Sequence, residues 1–363
     1  MRPTLFALAP ATLLGAVPAI AAPNVVADIV PVQSLVAQVM EGVGTPALLI
    51  GPGASPHGYA LRPSEARALS GADLAIIMGE GLTPWIHDPL TSLAPDATVI
   101  ELLERPETTL LPVREGARFG EMAEGHAGHG DEEDDDHDDH AGHDAHDDHD
   151  DHADHDDHAE QDDHGDHDHA DHDGHEHDEH AADQTDAHGH VHEGDDPHAW
   201  LDPANASAWV AVIAAELATL DPDNAATYHA NAEAAQGRLA TLSADLTAQL
   251  APLAEASFLT AHDSWQYFER AFGVRAAGAL SDSDAVEPGP ARLREVETLI
   301  DADNVTCVVL EGGSGSRMAE RLAATGDLST VTLDPLGGGL TPGAGLYDEL
   351  LEGVAAGLAE CLG

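Results

Sequence analysis

The chain has 363 residues, 68 acidic side chains against 13 arginines, no lysine, and a formal net charge of −55. That charge excludes ordinary nucleic-acid binding, which needs a basic surface to displace phosphate counterions, and it disfavours docking on anionic lipid. The acid is concentrated: residues 121–196 hold 33 of the 68 carboxylates, 20 of the 25 histidines and no arginine. The roughly 270 residues outside this tract and an N-terminal leader exceed one ordinary core and predict two lobes.

The leader is a secretory signal peptide over residues 1–21. Arg2 starts it, an apolar run from Leu5 to Ile20 follows, and Ala19-Ile20-Ala21 supplies the small-x-small cleavage pattern. Cleavage is expected after Ala21, because one residue later Pro23 would become the first mature residue. No cysteine near the cut invites a lipid anchor, and no later apolar run is expected to span a bilayer. The mature protein is therefore expected to be exported and soluble.

From Asn24 the segments alternate. Asn24–Ile29, Ala47–Ile50, Ala72–Met78 and Thr98–Leu102 read as short apolar strands, with helices from Pro31 to about Gly42 and over Pro63–Leu69. This rhythm predicts a mostly parallel sheet with helices on both faces. The tract at 121–196 has almost no apolar side chain larger than alanine, so nothing offsets the entropy of ordering it, and a disordered insert in the first lobe is expected. Within it histidine recurs at every third position, at His137, His140, His143, His146, His149, His152, His155 and His158. A period of three places them on one face of an extended threefold chain. A solvated linker explains the aspartates but not the histidines, which point to auxiliary weak metal sites. Neighbouring carboxylates should raise the imidazole pKa values, so capture should weaken in mild acid.

Beyond the tract, Asp202-Pro203 is an N-cap and first-turn pair for a helix reaching Leu220. A second helix from Asp221-Pro222 to about Leu250 carries Tyr228, Ala232, Ala235, Leu239, Leu242, Leu246 and Leu250 at steps of three or four. It is read as a long rigid connector. Strands at Ser257–Thr260, Val274–Ala279, Cys307–Leu310 and Thr330–Leu333 then alternate with helices near Ser264–Phe272, Pro290–Asp301, Ser316–Thr325 and Tyr347–Leu362. The expected divisions are a first α/β lobe over 22–221 containing the insert, a connecting helix over 222–254, and a second α/β lobe over 255–363. Cys307 and Cys361 are the only cysteines. Export makes a disulfide between them the natural reading.

Five histidines lie outside the tract. His87, before Asp88-Pro89, reads as turn chemistry, and His229 faces outward on the long helix. His57 follows the strand ending at Ile50, His262 the strand Ser257–Thr260, and Asp334 the strand ending at Leu333. Ligands of open α/β sheets bind beyond the carboxyl ends of the strands. His198, in DPHAWLDP, stands at the exit of the tract. A metal held by His57, His198, His262 and Asp334 would lie between the lobes, and three imidazoles with one carboxylate suit Zn2+. Singly, each histidine is more often a surface or hydrogen-bonding residue, and Asp334 before Pro335 also suits a turn.

The pieces SPHGYALRPSE, DPHAWLDP, FLTAHDSWQYFERAFGV and TVTLDPLG resemble the metal-binding motifs of ABC-transporter solute-binding proteins of the zinc/manganese class, and most closely the ZnuA-type zinc receptors. The resemblance covers nearly the whole mature chain, including the His/Asp-rich insert and the two late cysteines. It implies two lobes joined by a rigid helix, Zn2+ as transported ligand on His57, His198, His262 and Asp334, and delivery to an ABC-type zinc permease in the inner membrane. It also implies a monomer in the periplasm, with other periplasmic zinc chaperones as further partners and no nucleic acid. Manganese-type relatives carry a carboxylate where this chain has His262, and many zinc receptors carry an acid where it has Pro56. The rival readings are a manganese or broader divalent-metal receptor, an exported zinc hydrolase, and a metal buffer or adhesion protein. Against the hydrolase, there is no HExxH, Gly312-Gly313-Ser314-Gly315-Ser316 matches no nucleophile or phosphate motif, and Glu311 is the only spare acid.

Overall fold

The computed structural model describes residues 22–114, 116–119, 194–281, 288–311 and 315–363. The leader and the eight periodic histidines lie outside the described residues. The described chain forms two α/β lobes, each built on a four-stranded sheet in which every pairing is parallel. The first sheet holds β1 (Val25–Ala27), β2 (Ala47–Leu48), β3 (Leu74–Ile77) and β4 (Thr98–Glu101) in the order β2-β1-β3-β4. The second repeats that order as β6-β5-β7-β8, with β5 (Ser257–His262), β6 (Arg275–Ser281), β7 (Cys307–Leu310) and β8 (Ser329–Thr332). Leu-Ala-Ile-Ile in β3 and Cys-Val-Val-Leu in β7 are buried throughout, as continuous apolar strands are when helices cover both faces. In each lobe the chain leaves its first strand to one side and then returns to the other. The switch between β1 and β3, and again between β5 and β7, opens a crevice at the strand carboxyl ends.

The helices are α1 (Val30–Val39), α2 (Pro63–Ser70), α3 (His87–Leu93), α4 (Pro203–Leu220), α5 (Ala225–Leu250), α6 (Gln266–Phe272), α7 (Pro290–Ala302), α8 (Gly315–Gly326) and α9 (Leu346–Leu362). Asp202 caps α4 as its sequence predicts, Oδ1 accepting from the Ala204 amide at 2.8 Å. By length and composition α4 is long and apolar enough to cross a bilayer, against the sequence expectation. Its Trp209, Val210, Ile213 and Leu217 are instead wholly buried in the protein. The seven spaced apolar residues of α5 are its buried residues, without exception. At 1.5 Å per residue α5 runs about 39 Å, long enough to pack against α1 of the first lobe and α6 and α9 of the second.

Several elements differ from the sequence expectations. His87 begins a helix, not a turn, because Asp88 and Pro89 fall in a first turn whose amides need no intrahelical acceptor. Asp221-Pro222 opens a separate 3-10 turn, Pro222–Asn224, ahead of α5. β5 extends two residues past Thr260, so His262 is the last strand residue, paired with Ser281 of β6. The chain also enters the acidic tract from the second sheet. Phe119 donates to Ala277 O (2.9 Å) and Ala279 to Ala117 O (3.2 Å), placing Arg118 opposite Gly278 on the edge of β6. It leaves the tract alongside Leu111–Val113, with Asp196 donating to Leu111 O at 2.7 Å and Val113 to Gly194 O at 3.0 Å. Cys307 and Cys361 are bonded, tying the start of β7 to the end of α9.

Candidate metal centre

One cleft of about 340 Å³ is lined by His57, His198, His262 and Asp334 together with Gly53–Pro56, Trp200, Glu311, Pro335 and Leu336. The four residues singled out from sequence are thus brought to one place from four separate segments. The His198 ring lies centrally, its centroid 5.5 Å from that of His262 and 6.2 Å from that of His57. Two imidazoles on one tetrahedral ion, with Zn–N about 2.0–2.1 Å and each ring centre about 1.1 Å beyond its nitrogen, have centroids about 5 Å apart. The His198–His262 pair nearly meets that spacing, and His57 stands about 1 Å too far out. Accordingly, among the described residues no three His, Cys, Asp or Glu side chains hold coordinating geometry as they stand.

Two of the rings are oriented by carboxylates. His262 Nδ1 lies 2.5 Å from Glu311 Oε2, and His198 Nδ1 lies 2.7 Å from Asp196 Oδ1. With Nδ1 donating, the lone pair falls on Nε2, the arrangement that metal-binding histidines take almost everywhere. Glu311, at the carboxyl end of β7 beside the β5/β7 switch, is held on its other oxygen by Trp265 Nε1 (2.8 Å) and Ser264 Oγ (3.1 Å). It is buried and committed to these three donors. Asp196 also accepts from the His198 amide at 2.9 Å. Its carbonyl takes the Tyr267 hydroxyl at 2.9 Å, and that hydroxyl in turn accepts from the Leu111 amide at 3.0 Å.

Asp334 makes the turn its sequence allowed as well as lining the cleft. Oδ1 accepts from the Leu336 amide (2.8 Å) and Oδ2 from the Gly338 amide (2.7 Å). Each carboxylate oxygen has a second lone pair, so a turn-making carboxylate retains donor capacity toward an ion. Trp200 closes the floor, its Nε1 donating to Pro335 O at 2.8 Å and its carbonyl accepting from the Tyr347 hydroxyl at 2.6 Å.

Behind His262, Arg114 is clamped bidentately between Asp263 (2.5 and 3.0 Å) and Glu269 (2.7 and 3.0 Å) and lies 3.6 Å over the Phe119 ring. Burial raises the pKa of both acids, and the Arg114 charge offsets that rise only in part. Burial also works against the guanidinium, but the two carboxylates outweigh it and hold its pKa above the usual value. The sequence reading missed Asp196 and Arg114. Asp196 had a local signal, an acid two residues before His198 in DDPHAW, whereas nothing local links Arg114 to residues some 150 positions away. His87 and His229 are exposed and outside the cleft, as expected for residues without a ligand role.

Residues 25–361 match the family model described as "ZnuA: Zinc-uptake complex component A periplasmic". The chain is 41% identical over 365 residues to the high-affinity zinc uptake system protein ZnuA of Paracoccus denitrificans, covering 100% of this chain and 99% of that one. It is 36% identical to the protein of that name from Brucella abortus, over 93% and 91% of the two chains. A solved ZnuA crystal structure superposes with a TM-score of 0.65 at 21% identity, covering 94% of this chain and all of the other, which establishes the shared fold. The chain belongs to the ZnuA family: it is a periplasmic solute-binding protein that carries a divalent metal ion to an ABC permease, and it is not an enzyme.

Proposed function

We propose that the cleft captures Zn2+ for high-affinity uptake, with Nε2 of His198 and His262, the His57 ring and the Asp334 carboxylate as its ligands, and that the loaded protein docks on an inner-membrane zinc permease. The observation that carries this reading is the pair of buried carboxylate–histidine contacts, Glu311–His262 and Asp196–His198, facing His57 across one cleft. The ring spacings support a modest closure, with His57 and its loop moving inward by about 1 Å as the ion binds. A manganese receptor is the second reading. Three imidazoles and one carboxylate form a softer donor set than oxygen-rich manganese sites use, and Pro56 supplies no side-chain oxygen beside His57, so zinc is favoured. In this proposal the lobes are 22–221 and 255–363 with α5 as the rigid member between them. The leader 1–21 directs export, and the protein acts as a monomer. The histidines of the 121–196 insert, His137 to His158, serve as weak auxiliary sites that raise the local zinc concentration.

The decisive experiment is metal stoichiometry and zinc–manganese competition on the purified mature protein, with and without residues 126–196. One tight zinc site is expected in both forms, with extra weak equivalents only in the intact chain. Loss of all tight binding on truncation would mean that the insert supplies a primary ligand, and the four-residue assignment would fall. His262→Ala should weaken zinc by orders of magnitude in a folded protein, and His262→Glu should lower the zinc-to-manganese affinity ratio. An unchanged ratio, with intact affinity in the Ala variant, would remove His262 from the site.

A further inference from the structure

At the cleft mouth the backbones of the two lobes touch. Gly338, four residues beyond Asp334, lies against Gly53, four residues before His57. A Cβ built on Gly338 would stand 2.6 Å from Gly53 N, 3.1 Å from Gly53 Cα and 2.8 Å from Asp334 Oδ2. Two of these atoms are backbone and cannot turn aside by changing rotamer, so any side chain at position 338 has to push the two turns apart. Gly53 is itself at φ +76, in the left-handed region, yet a Cβ there would meet nothing within 4 Å. The tight fit is therefore imposed at Gly338. Gly339, the next residue, has nothing within 4 Å of its Cβ position, so a methyl group is sterically excluded at one glycine and free at its neighbour.

Each touching turn carries a cleft residue. The Gly338 amide donates to Asp334 Oδ2 at 2.7 Å, and Gly53 begins the loop that runs through Pro56 to His57, whose carbonyl at Pro56 accepts from Trp85 Nε1 at 2.7 Å. The turn that holds Asp334 and the loop that leads to His57 thus meet at this contact.

We infer that Gly338 is a specificity-determining residue: by lacking a Cβ it lets the Asp334 turn seat directly on the Gly53 turn, and so holds His57 and Asp334 within reach of one small, four-coordinate ion. This rests on the reading of the cleft as a metal site. Zinc takes donors at about 2.0–2.2 Å in a tetrahedron, a span that a wedged-open mouth cannot close. Manganese accepts six oxygen-rich positions, water among them, and tolerates a wider mouth better. Opening the contact should thus penalise zinc more than manganese.

The test compares Gly338→Ala and Gly338→Val with Gly339→Ala, measuring zinc and manganese affinity by chelator competition at one pH after a melting curve has shown each variant folded. Spin labels at Ala60→Cys and Thr341→Cys, both exposed, the first just past the His57 loop and the second just past the Gly338 turn, report the width of the mouth. Wild-type protein should bind one ion tightly. Gly338→Ala should lower zinc affinity by about tenfold, since looseness of about 1 Å disables a metal site. It should also lower the zinc-to-manganese ratio and lengthen the label distance, with Gly338→Val further along the same line and Gly339→Ala like wild type. If the valine variant does not fold, Gly338→Ala by itself decides the outcome. Wild-type affinities and ratio in the Gly338 variants, or equal losses in Gly339→Ala, would overturn the inference while leaving the metal site standing. Failure of the unsubstituted protein to bind either ion would overturn both.

Discussion

Replacing Glu311 by glutamine isolates the contribution of an orienting carboxylate, because it keeps the shape and changes only which atoms donate. In the native arrangement three donors converge on Glu311: His262 Nδ1 at 2.5 Å on one oxygen, and Trp265 Nε1 at 2.8 Å with Ser264 Oγ at 3.1 Å on the other. An amide has one acceptor end, so Glu311→Gln must set its NH2 against either His262 or Trp265. Facing His262, it forces the ring proton to Nε2 and blocks coordination. Facing Trp265, it leaves a buried indole N–H without an acceptor, at a cost of about 1–3 kcal/mol. Loss of an orienting partner typically lowers metal affinity by about 10–100-fold, or about 1.4–2.7 kcal/mol. The melting temperature of the metal-free variant should also fall by several degrees, at about 2–4 °C per kcal/mol for a chain of this size. Competition against a fluorescent zinc chelator at constant pH reads the first effect, and calorimetry of the metal-free protein reads the second. Folded Glu311→Gln with wild-type zinc affinity would show that the His262–Glu311 contact does not prepare the ring for an ion.

Asp334→Asn removes the charge and keeps only one of the two oxygens that accept from the Leu336 and Gly338 amides, so zinc should weaken by about tenfold or more and melting should fall by a few degrees as well. A lowered melting temperature with zinc affinity intact would mean that Asp334 only makes its turn. Replacing Cys307 and Cys361 by serine opens a link spanning 54 residues, about 4 kcal/mol on the chain-entropy account. Melting should drop by roughly 10 °C with metal affinity within a few-fold of native, because Cys307 begins β7 at the end away from the cleft. Asp28, wholly buried between β1 and β3, has its pKa pushed up to about 7 by burial, against the opposing bonds from the Ile29 and Met78 amides. A raised carboxylate keeps its proton in the folded state after the unfolded chain has lost its own. Stability from this group is therefore complete below about pH 4, declines as pH rises to about 7, and is flat beyond. Urea titrations at pH 4.5 and 7.5 should show Asp28→Asn losing this part of the decline. An identical pH slope in the variant would exclude it.

Much of the architecture was legible in the residues alone. Continuous apolar runs such as Leu74–Ile77 and Cys307–Leu310 can only be covered on both faces, and the three-or-four spacing from Tyr228 to Leu250 admits one buried helical stripe, so strand and helix identity followed from local pattern. Candidate ligands were legible for a related reason: a histidine or aspartate at the end of a strand or in the loop that follows it, as His262, His57 and Asp334 are, lies at the sheet's carboxyl edge, whatever the rest of the chain does. What local pattern does not contain is any relation between distant segments. That Glu311 orients His262 instead of acting as a spare acid depends on β5 and β7 being neighbours. The seating of Arg114 between Asp263 and Glu269 depends on a segment from before the acidic tract reaching the edge of β6 and the base of α6. The contact of Gly338 with Gly53 depends on how closely two lobes approach. Those relations are set by packing across hundreds of residues, where a tenth of a nanometre decides whether four donors meet on one ion, and only the tertiary structure carries distances of that kind.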